Sequence, residues 1–163
     1  MIKIGDKLPA TQVTILSEDG PKGVALNEAL GTGRVVLFGV PGAFTPTCSA
    51  NHLPGFVEHR DALRAAGVDQ VACMAVNDIF VMGAWEKASS SAAQVQMMAD
   101  GNADATRAMG LELDASGFGM GTRCQRFSLL AEDGVVVAVF VDSGGEFRVS
   151  SAEHMLEHLS GQS

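Results

Sequence analysis

Short apolar runs alternate along the chain with longer segments in which apolar and polar residues are interspersed. The most uniform run is RVVLFGV, Arg34 to Val40, which has almost no polar position. Because a strand covered on both faces presents no side to solvent, this run predicts a central strand of a buried sheet. DQVACMAVN, residues 69–77, predicts a second buried strand. ATQVTIL, residues 10–16, alternates as a half-buried strand does and is followed by the turn segment SEDGPKG.

Segments with apolar residues at helical spacing lie between the strands. The longest runs from about Pro46 to Ala66, with apolar positions at Leu53, Phe56, Val57 and Leu63. Pro54 lies inside it and predicts a kink, because proline removes one backbone hydrogen bond. Shorter helices are predicted in segments 23–31, 78–88, 102–110 and 150–159. In the last of these, Ser150 stands three residues before Glu153 as in a capping box.

The order of these elements indicates the fold class. A further strand is predicted in residues 92–100, and two β-rich runs in residues 125–141 surround the turn 131–134, which predicts a hairpin. Strands that alternate with helices and end in a hairpin predict an α/β fold with a central mixed sheet and helices on both faces. We find no internal repeat or linker, so residues 1–163 are predicted to form one domain.

Charge and cysteine content narrow the class of protein. The 163 residues carry a formal net charge of -8, which disfavours binding to nucleic acid or to anionic membranes because the field repels polyanions. The first ten residues, MIKIGDKLPA, form no apolar run, and the longest apolar run, Val135 to Val141, is shorter than a membrane span. Three cysteines without a CxxC pair do not suit a secreted disulfide scaffold. The sequence therefore predicts a soluble, cytoplasmic protein with reduced thiols.

One of these cysteines follows the central strand in VVLFGVPGAFTPTCS, residues 35–49. Thr45 suits a helix N-cap and Pro46 the first helical position, so Cys48 falls in the first turn. Free backbone N–H groups and the helix dipole lower a thiol pKa there from about 8.5, and a shift of about two units makes thiolate the major species. Gly42 permits close approach of a small ligand. The pattern predicts a nucleophile, with a buried structural cysteine as the alternative.

Residues 41–56, PGAFTPTCSANHLPGF, resemble the active-site signature of the peroxiredoxins, Pro-x-x-x-Thr-x-x-Cys. The form is similar to that of the atypical type II branch related to mitochondrial and plant peroxiredoxins. Further similarity lies in KIGDKLPA, VACMAVND, FVMGAW and RFSLL, so the resemblance spans nearly the whole chain. It implies a thioredoxin-like fold, a homodimer, no cofactor or metal, and thiol-dependent reduction of hydrogen peroxide and small alkyl hydroperoxides.

The resemblance also assigns residues. Cys48 matches the peroxidatic cysteine, Pro41 would shield it, Thr45 would hydrogen-bond the peroxide and the sulfur, and Arg126 would polarise nucleophile and peroxide. Independently, a guanidinium near a thiol favours the thiolate and stabilises charge on a departing oxygen. Without the family, a solvated charge on an edge strand is the favoured interpretation of Arg126.

The thiol that would regenerate Cys48 is predicted to be external. Segment 145–155 contains no cysteine where some members of the branch carry the resolving one. Cys73 lies in a predicted buried strand as a small core residue. Cys124 is interpreted as an incidental, partly buried thiol, although strand alternation would place it on the same face as Arg126, from where it could approach the site if the loop moves. We therefore expect a one-cysteine mechanism with glutathione and glutaredoxin, or thioredoxin, as reductant.

Other residues leave alternatives open. His52, four residues after Cys48, would add charge or a hydrogen bond, or simply pack. His154 and His158 have an i, i+4 spacing without a third ligand, so a solvated helix is favoured over a metal site. Phe44, Phe80, Met82 and Trp85 suit either the core or an apolar dimer surface.

Two other functional classes remain at this stage. One is a redox sensor or relay that passes oxidation from Cys48 to a partner protein, and the other is a non-catalytic thioredoxin-like interaction module. A sensor would oxidise rapidly and be recycled poorly, whereas a module would not react with peroxide.

Overall fold

The computed structural model describes residues 1–91 and 93–161, with only the backbone of Cys48. Its strands are β1 (Gln12–Ser17), β2 (Gly20–Ala25), β3 (Arg34–Val40), β4 (Gln70–Ala75), β5 (Gln96–Ala99), β6 (Glu112–Asp114), β7 (Thr122–Cys124), β8 (Arg126–Glu132) and β9 (Val135–Asp142). Its α-helices are α1 (Leu26–Ala29), α2 (Leu53–Glu58), α3 (Arg60–Ala65), α4 (Ile79–Ser89), α5 (Asp104–Ala108) and α6 (Ala152–Ser160). A π-helix covers Cys48–His52 and a 3-10 helix covers Ser116–Phe118.

Seven strands form one mixed sheet in the order β2-β1-β5-β4-β3-β8-β9. The central strands β3, β4 and β5 are parallel, so their carboxyl ends meet at one edge. Strand β8 runs antiparallel to β3 and pairs Phe127 with Gly39. The start of β8, Arg126, therefore lies beside the end of β3, from which the chain continues towards Cys48.

Two apolar cores cover the two faces of this sheet. The first packs α2, α3, α4 and α6 against it and includes Phe38, Phe56, Met82, Trp85 and Met155. The second lies on the other face beneath α1 and α5 and includes Leu26, Leu30, Met98, Met109 and Phe127. The predicted mixed sheet with helices on both faces is confirmed.

Most predicted elements are present. Strand β3 has the predicted bounds, and the strands, helices and hairpin expected near β1, β4, α4, β5, α5 and β8–β9 all form. The hairpin turns at Asp133 and Gly134, both with positive φ, which matches the twist of the strands it joins. The extent of the domain, residues 1–163, stays a prediction.

Three strands, β2, β6 and β7, were not predicted from the sequence. Strand β2 covers the end of the segment interpreted as a turn and the first residues of the predicted helix 23–31, which is reduced to α1. It pairs with β1 and forms an edge strand of the sheet. Its glycine, proline and lysine residues are typical of a loop. An edge strand tolerates them because it is paired on one side only and is largely exposed. Strands β6 and β7 form a separate short hairpin of three residues each.

The predicted long helix from Pro46 to Ala66 is divided. Helical backbone begins at Pro46, becomes the π-helix Cys48–His52, and continues as α2 and α3 with a break at His59. Pro54 lies in the first turn of α2, where its missing N–H matters least, so the interruption expected from this residue occurs just before it.

The terminal helix α6 begins one residue later than predicted. Ser151 is its N-cap and accepts a hydrogen bond from the backbone N–H of His154 at 3.1 Å. Ser150 instead donates its hydroxyl to Asp142 at 2.6 Å, so the predicted Ser150 cap is wrong. No helix in residues 1–91 and 93–161 is long and apolar enough to cross a membrane.

Candidate active site

The loop after β3 is held by hydrogen bonds at the carboxyl edge of the sheet. The backbone N–H of Ala43 donates to Oδ1 of Asn77, which follows β4, at 2.9 Å. Thr45 donates its hydroxyl to the carbonyl of Gly42 at 2.7 Å, which closes a tight turn. Pro41 opens this loop and is half-buried. The loop therefore holds Pro41 and Thr45 in fixed positions before Cys48.

Gly42 lies in a closely packed position. A Cβ placed on it would lie 3.1 Å from Cγ2 of Thr45 and 3.5 Å from Nη1 of Arg123. Arg123 donates to the carbonyls of Met120 and Val76, at 2.9 and 3.0 Å, and so fastens the β6–β7 loop against the end of β4. Side chains of the protein itself therefore approach Gly42 closely, and the predicted approach of a small ligand there stays a prediction.

Helical hydrogen bonding starts directly after this loop. The N–H of Ser49 donates to the carbonyl of Thr45 at 2.9 Å. Cys48 is the first residue of the π-helix; its side chain lies outside the described residues, so its predicted thiolate character stays a prediction. Nε1 of Trp85, which is buried on α4, donates to Oγ of Ser49 at 3.0 Å. Helix α4 therefore fixes the residue next to Cys48.

Arg126 is buried beside the same helical segment. Its side chain is 8% exposed, its Nη1 donates to Nδ1 of His52 at 3.0 Å, and its guanidinium lies 5.9 Å from the ring centroid of Phe147. The alternative interpretation as a solvated edge-strand charge is wrong, because β8 is internal to the sheet and pairs with both β3 and β9. A charge in such a low-dielectric position acts strongly on a nearby anion.

His52 contributes a hydrogen bond and no positive charge. Its Nε2 lies 2.9 Å from the carbonyl of Ser150, which can only accept, and its Nδ1 accepts from Arg126, which can only donate. Burial, and then the charge of Arg126, lower the pKa of His52 to about 3. The ring is therefore neutral, with its proton on Nε2. Only its spacing from Cys48 signalled this role in the sequence.

The remaining cysteines lie in the two cores. Cys73 is buried on β4 in the first core, as predicted. Cys124 is buried in the second core, where burial raises the pKa of its thiol well above the usual value. The prediction that Cys124 shares a face with Arg126 is wrong, because β7 ends at Cys124 and β8 begins afresh at Arg126.

The other candidates divide between core and surface. Met82 and Trp85 belong to the first core, whereas Phe44 and Phe80 are 54% and 72% exposed. His154 and His158 both pack against the ring of Phe140, with centroids at 4.6 and 5.4 Å.

Comparison with known proteins gives one consistent family. Residues 3–156 match the Redoxin family. The chain is 48% identical over 163 residues to peroxiredoxin-2E-2, chloroplastic, of Oryza sativa, an alignment that covers 97% of this chain and 72% of that protein. It is 45% identical over 159 residues to peroxiredoxin-2B of Arabidopsis thaliana, covering 97% and 98% of the two chains.

A solved structure shows the same architecture. Reduced Prx3 of Vibrio vulnificus in complex with hydrogen peroxide superposes with a TM-score of 0.93 at 45% identity, covering 98% of this chain and 99% of that chain. The thioredoxin-like fold expected from the sequence is confirmed by this likeness. Together with the family match over residues 3–156, it shows that the chain belongs to the peroxiredoxin family.

Proposed function

We propose that Cys48 is the nucleophile of this thiol-dependent peroxidase and that Pro41, Thr45 and Arg126 form its peroxide site. As a peroxiredoxin, the protein reduces hydrogen peroxide and small alkyl hydroperoxides at the expense of a thiol. The observation that carries the residue assignment is the 3.0 Å hydrogen bond from Arg126 to His52. It brings a guanidinium from β8 to the helical segment that begins at Cys48.

The reaction follows from this arrangement. The Cys48 thiolate attacks one peroxide oxygen, the O–O bond breaks, and the other oxygen leaves as water or an alcohol after taking a proton; Cys48 becomes a sulfenic acid. Arg126 donates to the oxygen on which negative charge develops, and does so without losing a proton. It also favours the thiolate before attack.

Thr45 and Pro41 orient and shelter the peroxide. Because Thr45 already donates its proton to the Gly42 carbonyl, its oxygen is left to accept a hydrogen bond from the O–H of the peroxide. Pro41 has no N–H and presents an apolar ring, so it adds no donor that would compete for the thiolate. The two residues thus leave Arg126 as the donor to the reacting oxygens.

Recycling requires a thiol, and we assign it to an external one. A thiol attacks the Cys48 sulfenic acid, releases water and forms a mixed disulfide, which a second thiol then reduces. Cys73 and Cys124 are both fully buried, in different cores. The reductant we propose is an external thiol, supplied either by glutathione with glutaredoxin or by thioredoxin.

Removal of both buried thiols tests this assignment. The double variant Cys73→Ala, Cys124→Ala is expected to keep turnover with glutaredoxin and glutathione, or with thioredoxin, within about twofold of wild type, since neither thiol takes part. Peroxidase turnover is measured by coupled NADPH consumption. Lost turnover with unchanged peroxide-driven oxidation of Cys48 would show instead that one of them resolves the sulfenic acid.

We also propose that the protein forms a homodimer through the surface at the carboxyl ends of β3 and β4, where the candidate site lies. Phe44, Phe80 and Phe118 are 54%, 72% and 86% exposed. The first two follow β3 and β4, and the third lies in the β6–β7 loop that Arg123 fastens to this edge. Large exposed apolar groups at one edge are typical of an interface between proteins.

Phe80→Glu is expected to shift the protein from dimer to monomer, because it buries a charge in the proposed interface. The mass in solution is measured by light scattering after size-exclusion chromatography. Ile4→Glu is a matched control, since Ile4 is 67% exposed but lies near Val136, at the opposite end of the β8–β9 hairpin. A monomeric wild type, or equal effects of both variants, would contradict the proposed interface.

The cytoplasm is the proposed location. Regeneration by an external thiol needs a reducing compartment, and an odd number of cysteines without a CxxC pair fits one. Fractionation of cells with immunodetection tests this location, and recovery with the periplasmic or secreted fraction would exclude it.

A further inference from the structure

Asp142 is a buried carboxylate at the end of β9 that accepts hydrogen bonds from four donor groups. It is 5% exposed and faces Arg126 in the register of β8 and β9. Its Oδ1 accepts from the backbone N–H of Arg148 and Val149, each at 3.1 Å. Its Oδ2 accepts from the N–H of Ser150 at 3.0 Å and from its hydroxyl at 2.6 Å. The carboxylate therefore fixes the chain from 148 to 150.

The fixed segment presents one carbonyl to the candidate site. While the N–H and the hydroxyl of Ser150 are held by Asp142, its carbonyl accepts the Nε2 proton of His52 at 2.9 Å. That contact sets the tautomer of His52, so Nδ1 is left as the acceptor for Arg126 at 3.0 Å. A continuous series of contacts thus joins Asp142 to Arg126.

We propose that Asp142 is a positioning residue for peroxide reduction, which holds Arg126 in its working orientation through Ser150 and His52. The proposal rests on the role assigned to Arg126 above. A guanidinium has five N–H donors in a fixed fork, so anchoring one of them decides where the others point. Small changes in that direction cost much in rate, since the departing oxygen must meet a donor that is already in place.

The chemistry of the contacts explains why this residue is an aspartate. Burial alone would raise the pKa of Asp142, but the Ser150 hydroxyl and the three backbone N–H groups outweigh it and lower the pKa. An ionised carboxylate offers acceptors only, which matches four converging donors. Asparagine has the same shape, but its amide donors would oppose one or more of those N–H groups.

The variant Asp142→Asn tests the proposal through the rate of the chemical step. We expect the second-order rate constant for Cys48 oxidation by hydrogen peroxide, followed in stopped flow by Trp85 fluorescence, to fall by about 10-fold to 100-fold. The reaction of oxidised Cys48 with reductant is expected to change by less than about twofold, because it does not use the peroxide-bound orientation of Arg126.

Asp100→Asn is a matched control for loss of a buried carboxylate. Asp100 is 2% exposed, follows β5, and accepts from the N–H groups of Ala105 and Thr106 and from the Thr106 hydroxyl. These contacts serve α5, on the other face of the sheet from His52. Both variants are expected to lower the melting temperature, and only Asp142→Asn to slow oxidation. Equal oxidation rates in Asp142→Asn and wild type would overturn the proposal.

A double-mutant cycle with His52→Asn separates transmission through His52 from general disruption. The asparagine side chain can place Oδ1 near the position of Nδ1 and still accept from Arg126, but it is too short to reach the Ser150 carbonyl. In this background Asp142→Asn is expected to change the oxidation rate by less than about twofold, whereas its effect on the melting temperature persists. The same fold-loss in both backgrounds would rule out transmission through His52.

If Asp142→Asn does not fold, Ser150→Ala tests the proposal instead. This variant removes the hydroxyl that donates to Asp142 and keeps the backbone N–H contacts. A several-fold slower oxidation supports the proposal, and an unchanged rate contradicts it. Failure of the proposed function itself would look different, since wild-type protein would then show no peroxide-dependent oxidation of Cys48 at all.

Discussion

Cys48→Ser is expected to lower peroxide consumption by about 10³-fold or more, to the rate of the buffer and reductant alone. The reason is that the helix N-terminus and a nearby guanidinium, which favour a thiolate, leave a serine hydroxyl protonated at neutral pH. A serine hydroxyl also cannot form a stable oxidised product. Turnover is measured with an excess of reductant, and oxidation in a single turnover is followed by the fluorescence of Trp85, the only tryptophan in the sequence.

The position of Trp85 makes this reporter specific. Its Nε1 donates to Oγ of Ser49, the residue next to Cys48, so a change in the oxidation state of Cys48 alters its surroundings. Cys73→Ala is the matched control, because it removes a buried thiol from the same core as Trp85 and should leave the signal in place. Peroxide consumption by Cys48→Ser at the wild-type rate would assign the nucleophile to another residue.

The sequence predicted those features that depend on local pattern. The first and last residues of β3 were predicted correctly, because a strand covered on both faces is apolar along its whole length. The turn at Asp133 and Gly134 was found because that dipeptide tolerates positive φ at both positions. Helix α4 begins where its N-cap, Asp78, accepts from the N–H of Val81, again a contact within one turn.

Features that depend on distant residues were not predictable in the same way. His52 and Arg126 are 74 residues apart, and only the pairing of β8 with β3 brings them together. Ser150 and Ser151 are equally suitable N-cap residues by type. The hydroxyl of Ser150 is hydrogen-bonded to Asp142, so Ser151 caps the helix instead. Cys124 faces the second core because the chain changes strands at Gln125, a break that simple alternation does not reveal.

The same distinction applies to the candidate site as a whole. Pro41, Thr45 and Cys48 lie within one short segment, so their association was visible in the sequence, and the family resemblance added Arg126. Neither source showed that the guanidinium is anchored by a neutral imidazole, which depends on burial and on a carbonyl from the segment before α6. Orientation at the site is therefore a property of the tertiary structure.

Arg126→Lys is expected to lower the second-order rate constant for Cys48 oxidation by about 10²-fold to 10³-fold, the effect typical of removing one donor from a developing oxyanion. A lysine ammonium keeps the positive charge but has no fork, so it cannot both donate to His52 and direct further donors at the peroxide. The loss should appear in stopped-flow oxidation and not in the reaction of oxidised Cys48 with reductant.

Arg60→Lys is the matched control, because Arg60 is also a buried arginine, 6% exposed, that donates to the backbone carbonyls of Val68 and Asp69. Both substitutions should lower the melting temperature, since each removes part of a fork that satisfies buried acceptors. Arg126→Met separates the effect of charge from the effect of orientation. It should also raise the pKa of the Cys48 thiol, which is measured by the ultraviolet absorbance of the thiolate. Arg126→Lys should leave that pKa nearer the wild-type value. Equal oxidation rates in Arg126→Lys and wild type would mean that the charge alone suffices, and the anchored fork would then have no part in the chemistry.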